Sequence, residues 1–235
     1  MSLVILNPTR VNPAYKSTKD INMSSVCRIV VLISGHGSNL QAIIDASHEK
    51  SFPAEVVAVV SNKPNAFGLQ RAAKANISTR VVEHQPGTAR ESYDQELMQV
   101  IDSYQPDLIV LAGFMRILSN EFVEHYSQRM LNIHPSLLPK YKGLHTHQRV
   151  LDNGEKHHGA SVHFVTPSLD DGPVILQSAI DVLPNDTAES LAERVHQVEH
   201  QIYPQAIRWF AESRLNIINN VVYLDNKPVQ HSNGT

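Results

Sequence analysis

Residues 28–46, RIVVLISGHGSNLQAIIDA, decide the fold. The uninterrupted apolar run at 29–33 reads as a strand covered on both faces, and Leu40, Ile43 and Ile44 then recur at helical spacing. Between them Gly35-His36-Gly37-Ser38-Asn39 makes a glycine turn. Strand, glycine turn and helix in that order open a parallel α/β sheet. The turn is not the dinucleotide fingerprint, because Leu40 stands where the third glycine of G-x-G-x-x-G belongs, and no Walker lysine follows. What remains is a set of backbone N–H groups with Ser38 and Asn39 at a helix N-terminus, a cradle suited to a single phosphate. The alternative is a tight turn with an ordinary Ser or Asn cap.

Outward from this unit the alternation continues. Strands are expected at 55–61, 79–82 and 108–112, with helices at 67–75, 89–104 and 120–126. After a strand ending at His134 comes a helix near 147–153. Two further strands, 160–165 and 174–182, joined by residues 166–173, suggest an antiparallel addition to the sheet. A long helix over 187–213, capped by Asp186 or Thr187, carries Leu191, Val195, Val198 and Ile202 along one stripe, and Pro204 should kink or split it. A short strand at 221–224 and a polar tail close the chain. The fold class is therefore α/β, a doubly wound, mostly parallel sheet with antiparallel strands added toward the C-terminus. Residues 27–235 form the domain. Residues 1–26, with two prolines and only a four-residue apolar run, read as an extension outside it, and Met23 is an alternative start.

The stretch that carries chemistry is MLNIHPSLLPKYKGLHTH, residues 130–147. Asn132 and His134 are two apart in a strand, so both leave on one face while Leu131 and Ile133 turn to the other. Pro135 removes a backbone N–H and favours an extended His134, which ends the strand with an amide and an imidazole at its mouth. Ligands of open α/β sheets bind beyond the carboxyl ends of the strands. A satisfied polar pair closing a loop is the plainer alternative. Asp170, in the Gly/Pro-bounded loop expected to return to that end, is the carboxylate to pair with His134, with Asp171 its rival. With no G-x-S-x-G and no base evident beside Cys27, nucleophilic acyl-enzyme chemistry is disfavoured. An amide donor, an imidazole, a carboxylate and a phosphate cradle suit direct attack by a substrate nucleophile on a carbonyl, with the oxyanion held by Asn132 and His134.

Composition removes other classes. Twenty basic and twenty-three acidic residues without long blocks of either sign argue against a nucleic-acid grip. No apolar run approaches the roughly 20 residues of a membrane span. A single cysteine, Cys27, excludes an intrachain disulfide and fits a reducing cytoplasm. Thirteen histidines raise the question of a metal, with His145, His147, His157 and His158 close together, but neither HExxH nor zinc-type Cys/His spacing is present and no metal is expected. Monomer and homodimer both remain open.

Six blocks, VLISGHGSNLQAIID, SNKPNAFGLQRA, PDLIVLAGFMRILS, LNIHPSLLPKYKGLHTHQRVLDNG, HGASVHFVTPSLDDGPVILQ and EHQIYP, occur in one order between residues 28 and 226. In them the chain resembles the folate-dependent glycinamide ribonucleotide formyltransferases of purine biosynthesis. The resemblance implies a Rossmann-like formyltransferase fold and metal-free transfer of a formyl group from 10-formyltetrahydrofolate to the amine of glycinamide ribonucleotide. By position, Asn132, His134 and Asp170 resemble the catalytic trio. Gly37, Ser38 and Asn39 resemble the phosphate cradle, and His196, Gln197, Val198 and Glu199 the segment that contacts the ribonucleotide. Arg90, Met115, Arg116, Ile117, Leu118, Asn132, Thr166, Pro167, Ser168, Leu169 and Asp170 resemble the folate side. Without the resemblance, Arg90 reads as a solvated first-turn arginine, and the 113–118 loop as hydrophobic packing under the sheet edge. His36 and His196 fall where family members vary, and Pro167-Ser168 departs from the family's folate loop.

Three rival functions differ in stated features. A methionyl-tRNA formyltransferase would bring a further C-terminal domain and a basic face. A formyltetrahydrofolate deformylase, using water as nucleophile, would bring an N-terminal regulatory domain for which 26 residues leave no room. A noncatalytic binding module would not need Asn132, His134 and Asp170 together.

Overall fold

The computed structural model describes residues 26–85 and 87–229. The expectations for the N-terminal extension, Val26 aside, and for the last residues of the tail lie outside the described residues. The elements are β1 (Cys27–Ile33), α1 (Ser38–Ser47), β2 (Ala54–Ser61), α2 (Phe67–Lys74), β3 (Ser78–Val81), α3 (Arg90–Asp102), β4 (Leu108–Leu111), α4 (Asn120–His125), β5 (Met130–His134) and α5 (Thr146–Asp152). They continue with β6 (His157–Phe164), β7 (Val174–Asp181), α6 (Ala188–Ala211), β8 (Leu215–Ile218), β9 (Val221–Leu224) and β10 (Lys227–Pro228).

Seven strands form one sheet in the order β3-β2-β1-β4-β5-β6-β7. The first five are parallel, and β6 and β7 add antiparallel, as expected from the sequence. The chain winds outward from β1 through β2 to β3, then returns to place β4 on the other side of β1. That reversal puts the topological switch point between β1 and β4, where an open α/β sheet leaves a crevice at its carboxyl edge.

Period-two alternation along β1 divides the core between the two faces. Ile29, Val31 and Ile33 pack with Leu40, Ile43 and Ile44 of α1 and with Val195, Ile202, Tyr203 and Ile207 of α6. Val30 and Leu32 turn the other way, to Tyr93, Leu97 and Ile101 of α3 and Phe122 and Val123 of α4. The fully buried Tyr203 hydroxyl is shared between the Leu111 and Leu131 carbonyls at 2.9 and 3.0 Å, tying α6 to β4 and β5.

Two expectations are corrected. Of the kink or split expected at Pro204, the split does not occur: the last helix runs unbroken from Ala188 to Ala211. A proline inside a helix costs about 3 kcal/mol, and the buried stripe continues on both sides of it, through Ile202 and Tyr203 before and Ala206, Ile207 and Phe210 after, so packing holds the helix in one piece. The C-terminus is not a lone strand but an antiparallel sheet of β8, β9 and β10. Its two-residue turns, Asn219-Asn220 and Asp225-Asn226, have φ of 50° and 63°, and 52° and 62°, the left-handed pair of a type I′ hairpin that Asn and Asp tolerate. Ser119 caps α4, accepting the Phe122 N–H at 3.2 Å, and of the two residues expected to cap the last helix it is Thr187 that does so, in a reciprocal box with Ser190.

Candidate active site

Helix α1 begins at Gly37, whose φ of 73° is left-handed and which offers no side-chain cap, so the ordinary Ser or Asn cap is not what the chain builds. A Cβ at Gly37 would lie 2.7 Å from the Cα of Gly68, because the first turn of α2 is pressed onto the glycine turn. Two hydrogen bonds hold it there. The Gly68 N–H donates to the Gly35 carbonyl at 3.0 Å, and Arg71 Nε–H donates to the His36 carbonyl at 3.0 Å. Gly68 and Arg71 thus support the glycine turn, and neither is singled out by sequence.

Asn39 leaves the first turn of α1 toward α6. Its Nδ2 donates to Glu199 Oε2 at 2.8 Å, while its buried Oδ1 has no partner among the described residues. Glu199 is 3 % exposed, and burial raises its carboxyl above the usual range against the lowering effects of Asn39 and His196. Of its expected neighbours, His196 and Gln197 are exposed and Val198 is packed into the core.

Strand β5 ends with His134, as the proline argument predicts. Leu131 and Ile133 face the α1 and α6 side, leaving Asn132 and His134 together on the other. His134 is buried. Its Nε2 donates to the Tyr141 carbonyl at 2.9 Å, and its Nδ1 lies 3.4 Å from Asp170 Oδ2, an ion-pair distance. The same Oδ2 accepts the Gly143 N–H at 2.9 Å. Asp171 is drawn away to Lys142, so the carboxylate beside His134 is that of Asp170.

Asp170 reaches the ligand end, where its loop was expected to return, by an indirect path. Antiparallel β6 runs back along β5, pairing Ser161 with His134 and Phe164 with Leu131, and Val165 N–H bonds the Met130 carbonyl. The loop leaves the sheet beside the start of β5 and doubles back. Five residues, 166–170, reach roughly 16–18 Å when extended, enough to bring Asp170 to His134 at the strand's far end.

Register also delivers a residue that the sequence reading missed. His163 of β6 stands opposite Asn132, and its Nε2 is 3.1 Å from Asn132 Nδ2. Its only sequence signal is alternation: once β6 is known to be antiparallel to β5, the partner of Asn132 must share its face.

The 113–118 loop, expected to face a folate, divides. Phe114 and Leu118 pack against the α3 and α4 core, while Met115 and Ile117 are 67 % and 60 % exposed. The Met115 N–H donates to Ser34 Oγ at 2.8 Å, which fixes this loop to the end of β1. Arg116 lies over the Tyr93 ring, 4.1 Å from its centroid, and its buried Nε has no hydrogen-bond partner among the described residues. Arg90 opens α3, exposed and without a hydrogen bond or ion pair among the described residues. Pro167, Ser168 and Leu169 are exposed, Thr166 is half-buried, and Leu144, next to the Gly143 that holds Asp170, is an exposed apolar side chain not foreseen from sequence.

Four further histidines pair with one another, while His125 and His157 meet Asp102 and Asp181. His147 Nδ1 and His158 Nε2 are 3.0 Å apart, and the His196 and His200 rings stack at 6.4 Å. Burial, then the charges of His147 and His134, pull the His158 pKa down to about 4. Among the described residues no three His, Cys, Asp or Glu side chains are placed to hold a metal ion. No described helix is long and apolar enough to cross a membrane. Cys27 is buried, and its thiol is pushed up to about 12 by burial, then by Asp107.

Comparison with known proteins adds to this geometry. The model of the formyl transferase family matches residues 27–207. The phosphoribosylglycinamide formyltransferase of Escherichia coli is 56 % identical over 197 residues, covering 84 % of this chain and 93 % of that protein. The human trifunctional purine biosynthetic protein adenosine-3 is 44 % identical over 193 residues, 82 % of this chain and 19 % of that much longer one. Among solved structures, the phosphoribosylglycinamide formyltransferase of Coxiella burnetii superposes with a TM-score of 0.83 at 54 % identity, over 87 % of this chain and 96 % of that one. A formyltetrahydrofolate deformylase from Pseudomonas syringae superposes with a TM-score of 0.81 at 25 % identity, over 86 % and 67 %. With the sheet order, the crevice and a match that spans most of its length, the chain belongs to the formyl transferase family.

Proposed function

We propose that this protein transfers the formyl group of 10-formyltetrahydrofolate to the amino group of glycinamide ribonucleotide, giving formylglycinamide ribonucleotide and tetrahydrofolate in purine biosynthesis. One observation carries the reading. The glycine turn after β1 and the Asn132, His134 and Asp170 group at the end of β5 stand on one sheet edge with only β4 between them. Two strand spacings are about 10 Å, a span suited to a phosphoribosyl group with a glycyl arm reaching from cradle to reaction centre.

In this reading the backbone N–H groups of the glycine turn and Ser38 hold the phosphate, and Asn39 and Glu199 meet the ribose hydroxyls. Met115, Ile117, Leu144 and Leu169 offer apolar surface to the flat ring of the folate, with Arg90 toward its acidic tail. The amine lone pair forms the new bond to the formyl carbon, and the carbonyl electron pair moves onto oxygen. The Asn132 N–H and a protonated His134 hold that charge. As the bond from carbon to folate nitrogen breaks, its electrons stay on that nitrogen, which takes a proton. Asp170 holds His134 and relays the proton that the amine loses, through water.

The test is conversion of 10-formyltetrahydrofolate, or of a 10-formyl-dideazafolate analogue, followed spectrophotometrically with and without glycinamide ribonucleotide, for wild type and His134→Ala. Turnover that needs the ribonucleotide and is lost in the variant is expected. Turnover with water alone would make the protein a deformylase, and saturable binding without turnover would make it a binding protein.

A further inference from the structure

An amide that serves as an oxyanion donor has to present its NH2 and not its oxygen, and a carboxamide is nearly symmetric in shape, so packing alone does not choose between the two. At Asn132 something else must. His163 faces it across the β5–β6 ladder, with His163 Nε2 3.1 Å from Asn132 Nδ2. The other ring nitrogen, Nδ1, is 2.8 Å from the Phe164 carbonyl, which only accepts, so Nδ1 carries a proton. In a ring with one proton, Nε2 then offers a lone pair to Asn132, which attracts the amide NH2 and repels the amide oxygen.

The surroundings keep the ring in that form. His163 is 2 % exposed, and burial holds its pKa below the ordinary histidine value, against the opposing pull of the Phe164 carbonyl and Asp170. Asp170 Oδ1 lies 3.8 Å from Nε2, beyond hydrogen-bond reach, and does not compete for it.

The geometry points to His163 as the positioning residue of the reaction centre: Phe164 fixes its tautomer, its Nε2 accepts one hydrogen of the Asn132 amide, and the second amide hydrogen is left for the oxygen that gains charge. The inference rests on the reading of Asn132 as an oxyanion donor. A flipped Asn132 would set its own oxygen against the developing charge and turn a stabilising contact into a repulsive one. Unlike the catalytic trio, His163 need never touch substrate.

Two measurements on the full-length protein test this. Nitrogen-15 imidazole shifts of the wild type at neutral pH should show His163 protonated on Nδ1 and bare at Nε2, and a proton on Nε2 overturns the proposal without any substitution. In kinetics, His163→Asn keeps a polar group near Nδ1 but stops short of Asn132, whereas His163→Gln places an acceptor near Nε2. His163→Asn should lower kcat by about 10²-fold, the order seen on loss of an oxyanion donor, with the ribonucleotide KM within about threefold. His163→Gln should recover about tenfold or more of that loss. In an Asn132→Ala background neither substitution should lower kcat further, since the group to be positioned is gone. Equal kcat for the Gln and Asn variants, or a full additional loss in the Asn132→Ala background, overturns the role. Absence of formyl transfer by the wild type overturns the reading of the reaction instead, and a proton on Nε2 with transfer intact overturns the positioning role alone.

Discussion

Gly37→Ala should damage the phosphate cradle and the fold together, and the two effects can be sized from the contact between α1 and α2. At φ of 73° an alanine pays roughly 1–2 kcal/mol for the left-handed backbone. Its Cβ would also sit 2.7 Å from Gly68 Cα, a backbone atom that cannot rotate away. Restoring an ordinary carbon contact of about 3.5 Å requires α2 and the turn to separate by about 0.8 Å. That movement strains the Gly68 N–H to Gly35 and Arg71 Nε–H to His36 bonds, each 3.0 Å now and each worth about 1 kcal/mol. The total is about 2–4 kcal/mol, a fall in Tm of roughly 4–16 °C for a chain of this size. A displaced turn also misplaces N–H donors to the phosphate. Losing one charge-assisted bond costs about 1.5–3 kcal/mol, so the ribonucleotide KM should rise roughly 10- to 100-fold while the folate KM stays within about threefold. Gly68→Ala is the control: its Cβ meets the movable end of Ile33 at 2.5 Å and Gly37 Cα at 3.3 Å, so its effects should be smaller. Differential scanning calorimetry and steady-state kinetics with each substrate varied suffice. A Gly37→Ala protein with unchanged Tm and ribonucleotide KM would refute the reasoning, and a folate KM that rose equally would refute the assignment of the turn to phosphate.

Three further outcomes follow from the geometry. Asp170→Asn removes the charge 3.4 Å from His134 but keeps an oxygen for the Gly143 N–H, so kcat should fall about 10²-fold or more with little change in ribonucleotide affinity, measured by titration calorimetry. His158 has its pKa lowered to about 4 from 6.5, so between those values the unfolded chain binds more protons than the folded one; stability falls as pH drops from about 6.5 toward 4, by on the order of 3 kcal/mol. Urea midpoints at pH 7.5 and 5 should show a smaller difference in His158→Gln, and an unchanged difference counts against the burial argument. Thr187→Ala breaks the box in which Thr187 Oγ1 accepts the Ser190 N–H at 3.2 Å, and should lower stability by about 1 kcal/mol, a Tm change of roughly 2–4 °C, with kcat unaltered.

Local chemistry in the sequence was enough to determine much of this protein. Five apolar residues before a glycine turn, and helical spacing after it, can only be a strand, a turn and a helix, because backbone sterics and burial act over a few residues. The end of β5 at His134 was legible for the same reason, as Pro135 has no N–H to continue a ladder. The hairpin turns at Asn219-Asn220 and Asp225-Asn226 lie in residues that tolerate left-handed backbone, but the short strands they join carry too few apolar residues to stand out beyond 221–224. Only tertiary structure decided what depends on register and on distant packing. Whether Asp170 or Asp171 meets His134 turns on which way Lys142 and Gly143 approach, and no pattern near residue 170 encodes that. The continuity of α6 through Pro204 is fixed by a buried face shared with the sheet, not by the helix's own propensity. His163 reaches Asn132 because β6 runs antiparallel to β5 in one register, and a shift of one residue would have turned the ring to the other face.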